Sequence, residues 1–84
     1  MSRANDVVRD CFRREAPAIA STKTDLETAS TALLARCIGE LEAERRAFIN
    51  LAPGYRDYIE PRLREVEQIR TDQARAEIAV LRAR

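Results

Sequence analysis

Eighty-four residues carrying 15 Lys and Arg against 14 Asp and Glu, with 45% apolar but only 5% aromatic side chains, make a short, densely charged and nearly neutral chain. A chain this short builds a modest core, so a single domain over residues 1–84 is the most it holds, and help from a partner is plausible. Two Gly and three Pro leave too few turns for a β-sandwich or barrel, and the charge is spread so evenly that no basic arm exists for a polyanion.

The first predicted element is a short helix over about residues 4–15. Ser2 or Asn5 can cap it, and Ala4, Val7, Val8, Cys11 and Phe12 recur at spacings of three and four along one face. Pro17 ends or kinks this helix and makes Ala16 the expected boundary, because the residue before a proline is pushed out of the α region.

A long central helix over about 24–50 follows. Thr24 or Asp25 caps it, and Leu26, Ala29, Leu33, Leu34, Cys37, Ile38, Leu41, Phe48 and Ile49 form its apolar stripe, interrupted only by Gly39. Asn50 to Gly54 reads as a turn, placed at 51–57 with the residues after it, and Pro61 is expected in the first turn of the next helix, about 58–82. In that helix Ile59, Val66, Gln73 and Val80 stand seven apart, with Ile69, Ala76 and Ala83 interleaved, as in a coiled-coil seam.

These elements predict an all-α fold: a long antiparallel helical hairpin with a short N-terminal helix, three-helix and coiled-coil-like. Its inner seam pairs Leu34, Ile38, Leu41 and Phe48 with Ile59, Val66 and Ile69, and its far end brings Leu26 and Leu33 towards Ala76 and Val80. Ile78 and Leu81 fall on another side of the last helix. Either the first helix covers them or another chain does, so Val7, Val8, Phe12, Ile78 and Leu81 are the expected partner-binding residues.

The chain has no His, which excludes His-based triads and the common zinc sets, and its two cysteines make no CxxC site. No catalytic residue, cofactor or metal ligand is expected. Cys11 and Cys37 lie on apolar helix stripes and are expected as reduced, buried thiols. No apolar run reaches membrane-spanning length and the first residues lack a signal-peptide profile, so a cytoplasmic location is expected.

The function expected from these features is that of a non-enzymatic helical interaction module, a chaperone, adaptor or scaffold subunit that meets a protein partner or itself through helix packing. Two alternatives stand beside it. The stretch from Leu33 to Leu41 resembles the first helix of the all-helical chorismate mutases. That family binds a dicarboxylate with Arg and Lys side chains in a dimer; Arg36 is the matching position, and the downstream Lys is replaced at best by Arg45 or Arg46. Nucleic-acid binding is the other alternative, but Arg62, Arg64, Arg70, Arg75, Arg82 and Arg84 are diluted by Glu65, Glu67, Asp72 and Glu77. With its Pro-Gly-Tyr turn and few aromatics, the chain also looks like the small chaperones of bacterial type III secretion and the short subunits of coiled-coil tethering complexes.

Overall fold

The computed structural model describes residues 6–51, 54 and 56–84. Among these it contains four helices and no strand: α1 (Val7–Ala20), α2 (Leu26–Arg36), α3 (Ile38–Leu51) and α4 (Arg56–Ala83). Ser2, Ala4 and Asn5, and Pro53 and Tyr55 in the expected turn, lie outside the described residues. No described helix is long and apolar enough to cross a membrane.

Asp6 caps α1, its carboxylate accepting the Arg9 N–H at 3.1 Å. The expected end at Ala16 is corrected, because α1 runs through Pro17 to Ala20. Pro17 forfeits one backbone bond, but the last turn is held from outside the ladder. The hydroxyls of Ser21 and Thr22 donate to the Ala18 and Ile19 carbonyls at 2.8 and 2.7 Å, and Arg82 of α4 donates to the Ala20 and Thr22 carbonyls at 3.1 Å each. A cation at the carbonyl end of a helix also meets its dipole favourably.

Asp25 caps α2 through the Thr28 N–H at 2.7 Å, one of the two caps the sequence offers. The single helix expected over 24–50 is broken into α2 and α3 at Cys37, whose φ of −105° and ψ of 21° leave the helical basin. Backbone bonding almost survives there, with Cys37 N–H reaching the Leu33 carbonyl at 3.2 Å and Leu41 N–H the Cys37 carbonyl at 3.0 Å. The break falls where helix propensity is poor, two residues before Gly39, and where Cys37 bonds another helix.

That bond corrects the expectation of reduced thiols: Cys11 and Cys37 form a disulfide, their Cα atoms 6.0 Å apart and 26 positions apart in sequence. Both apolar stripes point into one small interior, which brings the two sulfurs together. Around the disulfide lie Val8, Phe12, Ala16 and Ile19 of α1, Ala29 and Leu33 of α2, and Ala74 and Ile78 of α4, with Leu26 and Leu81 packed on the edge.

The register of α4 is also corrected. Its 28 residues begin at Arg56, two before the expected start, so Pro61 falls in the second turn. The side it turns inward passes through Ile59, Leu63, Val66, Arg70, Ala74, Ile78 and Leu81, and Ile59, Arg70 and Leu81 are eleven apart, as are Leu63 and Ala74. Eleven residues are three turns of an almost straight helix, whereas the seven-residue seam through Val80 requires a left-handed supercoil. Val80 and Ile69 are consequently about half exposed, and Ala74 and Ile78, instead of Ala76 and Val80, meet Leu33.

Candidate functional site: an open groove between α3 and α4

The chain divides into a body, in which α1 and α2 pack on the C-terminal half of α4, and an arm formed by α3 and the N-terminal half of α4. No residue of α3 is buried. The arm's buried side chains are Ile59 and Leu63, both from α4. Between its two helices lies an open groove of about 560 Å³ with an apolar floor of Leu34, Ile38, Leu41, Phe48, Leu63 and Val66 and a charged rim of Glu42, Glu44, Arg45, Glu67 and Arg70. The floor is most of the seam predicted to be closed. Ion pairs reach across between α3 and α4 at the groove's rim.

Arg45 of α3 donates to Glu67 of α4 at 2.9 Å, both side chains more than half exposed. Deeper in, Arg70 is only 12% exposed and donates to Glu44 of α3, to Asp6 at the start of α1, and to its own neighbour Gln73 at 2.7 Å. The cluster joins α4, α3 and the start of α1. Hydrogen bonding to Glu44, then to Asp6, outweighs burial and holds the Arg70 guanidinium charged far above its ordinary range. Partial burial disfavours the Asp6 carboxylate, yet the Arg70 hydrogen bond and the Arg9 N–H together hold it below the ordinary 3.8.

Arg70 and Glu44 also border a second depression, about 860 Å³, between the start of α1 and α3, with Asp6, Val7, Gly39 and Ala43 around it. The cluster is therefore a septum. On one side of the α3–α4 layer sits α1, tied down by Arg14 to Glu40 at 3.6 Å and Arg13 to Glu77 at 3.8 Å. On the other side lies the groove, whose α3 wall is Ile38, Leu41 and Arg45.

The residues expected to meet a partner are dispersed by the fold. Val8, Phe12 and Ile78 are enclosed in the chain's own core, Leu81 is packed against it, and Val7 alone of the five is more than half exposed. The surplus face of α4 is covered by α1 in the same chain. On α3, Ile38 and Leu51 are exposed and Leu41, Phe48 and Ile49 half-buried, and on α4 Tyr58, Ile69 and Val80 are exposed as well. Leu34, Leu41 and Phe48, seven apart in the sequence, are the residues expected in the inner seam.

Arg36, the position matching the mutase family, ends α2 and donates to Glu15 of α1 at 3.0 Å, lining neither depression. Its hydrogen bond, followed by that of Arg14, lowers the Glu15 pKa from the ordinary 4.5. Arg45 borders the groove and Arg46 is exposed, so the three basic positions of that resemblance do not converge. Among the described residues no three His, Cys, Asp or Glu side chains are gathered as ligands for a metal ion. No protein-family model, no characterised protein and no solved structure matches this chain.

Proposed function

We propose that the protein is a non-enzymatic helical interaction module whose working surface is the arm, with the groove between α3 and α4 as the receiving face. The observation that supports this reading is that no residue of a 14-residue helix is fully buried, its apolar side chains Leu41, Phe48 and Ile49 being covered only in part. A helix of that length is marginal by its own propensity and owes its stability to packing an apolar face, which α3 does not complete within the chain. The chain's radius of gyration of 14.2 Å, against about 12 Å for a compact domain of this length, is the same deficit seen as shape.

In this reading the body is a stapled base and the arm is an antiparallel hairpin offered to another helix, as adaptors and small chaperones offer one. The Cys11–Cys37 disulfide favours an oxidising compartment over the cytoplasmic location expected from the sequence, since cytosolic thiols are kept reduced. The test is a Leu41→Asp, Phe48→Asp variant examined for association by sedimentation velocity and for helicity by circular dichroism. Association lost with the body's helicity retained supports the module; association unchanged by two carboxylates in the groove refutes it.

A further inference from the structure

We infer that the occupant of the groove is a second copy of this chain, laid antiparallel so that the two arms close into a four-helix bundle about a two-fold axis. This rests on reading the arm as the interaction surface and goes further by naming its partner. Three observations carry it.

The first is area. A compact chain of 9.5 kDa exposes about 5,000 Å². This one exposes 5918 Å². The excess, about 900 Å², follows from the elongated shape and is comparable with the roughly 800 Å² each subunit gives to a standard stable interface.

The second is access. α1 lies on the far side of the α3–α4 layer, where it is tied to Glu40 and Glu77, and no described helix covers the groove side. Two copies can therefore meet groove to groove without their α1 helices intervening.

The third is self-complementarity. Along α3, Ile38, Glu42 and Arg45, which line the groove, and Ile49 one turn further on are spaced four, three and four. That order is a palindrome in which the charges are exchanged. An isologous interface must be complementary to itself, and an antiparallel pairing about the middle of α3 provides this. It sets Ile38 opposite Ile49 of the partner subunit and Glu42 opposite Arg45 of the partner subunit. Glu42 has no cation within ion-pair distance among the described residues, so its place across the interface is vacant within the chain. The antiparallel pairing thus matches opposite charges along α3, whereas a parallel pairing sets Glu42 against Glu42 of the partner subunit.

The experiment is sedimentation equilibrium on the full, oxidised chain from micromolar to millimolar concentration, with Glu42→Arg, Arg45→Glu and the double exchange. All three changes are on exposed side chains, and circular dichroism confirms that each variant folds. The expected result is a dimer whose dissociation constant rises about tenfold or more in Glu42→Arg, where like charges then face across the axis, and recovers at least half of that loss in the double exchange. A dimer indifferent to both charges overturns this interface. A chain monomeric at millimolar concentration overturns the second copy as occupant, and 8-anilinonaphthalene-1-sulfonate then separates the two readings. Dye bound in the groove and displaced in Leu41→Asp leaves the interaction module standing with a different partner. Absence of dye binding removes both.

Discussion

Reduction of the Cys11–Cys37 disulfide is expected to cost this protein a large part of its stability. The bond closes a loop of 26 positions, and constraining an unfolded chain over that length is worth about 3.5 kcal/mol on the chain-entropy account. A domain of 84 residues has a total of roughly 4–12 kcal/mol, so the staple represents between a third and nearly all of it. The effect is concentrated in the body, since the disulfide joins α1 to the junction of α2 and α3 and packs against Phe12, Leu33 and Ile78. The assay is urea denaturation followed by circular dichroism with and without dithiothreitol, after titration shows no free thiol in the untreated protein. A melting temperature lower by about 15–25 °C after reduction is the corresponding thermal result. Equal stability in the two states, or two titratable thiols in protein purified without reductant, refutes the reasoning.

Further expectations concern packing and charge. Ile78→Ala should destabilise by about 2–4 kcal/mol because the side chain is fully enclosed, whereas Val80→Ala, on the exposed side of α4, should stay within about 0.5 kcal/mol; equal costs in denaturation would mean that α4 is turned as a heptad seam. Arg70→Met should cost about 1–2 kcal/mol, the lower range for hydrogen bonds to charged groups because Asp6 and Glu44 remain partly solvated, and a neutral result would show that the septum is ornamental. The carboxyl groups of Glu15, Asp6 and Asp25 all titrate below their ordinary values in the fold. Their contribution is therefore present above the ordinary values, 4.5 for Glu15 and 3.8 for Asp6 and Asp25, and is lost as pH falls from there through the lower values of the fold, so midpoints measured from pH 6 to pH 2 should decline with acid. In Arg70→Met the Asp6 part of that decline should shrink, the Arg9 N–H alone still favouring the carboxylate.

The helices themselves were legible in the sequence because three- and four-residue spacing is a local property. Asp25 as a cap needed only the apolar run after it, and the Pro-Gly break placed α4 to within two residues. What the sequence left open depends on distances between elements. Pro17 reads as an end because part of what holds the last turn of α1, the Arg82 guanidinium on the Ala20 carbonyl, comes from sixty-two positions away. The heptad through Val80 and the eleven-residue order through Leu81 share Ile59 and Val66, and only α1 and α2 packing on Ala74 and Ile78 decides between them. Cys11 and Cys37 carry no spacing signature, so their pairing follows from the fold. The partner face was sought at Ile78 and Val8, where a surplus of apolar residues was visible, but that surplus is spent on α1. The true deficit lies on α3, whose stripe looked satisfied so long as its hairpin partner was assumed to close over it.

The division into body and arm makes a prediction that hydrogen exchange can test residue by residue. Amides in α1, α2 and the C-terminal half of α4 are fixed by a disulfide and by side chains such as Phe12, Leu33, Ala74 and Ile78 with no exposed surface, so they open only with the whole fold. Opening α3 exposes no fully buried side chain; it uncovers the half-buried Leu41, Phe48 and Ile49 and breaks the pairs of Arg45 with Glu67, Arg70 with Glu44 and Arg14 with Glu40. Exposed pairs contribute at most about 1 kcal/mol each, and the partly buried Arg70 pair somewhat more. In dilute protein, α3 amides should therefore exchange at least ~100-fold faster than those around Leu33 and Ile78, with protection ending near Cys37. Raising the concentration should protect α3 and the first half of α4 together while the body is unchanged, since burial of the groove adds stability only where the arms meet. Uniform protection of α3 and the body at low concentration would show that the arm is complete by itself and has no need of a second helix pair.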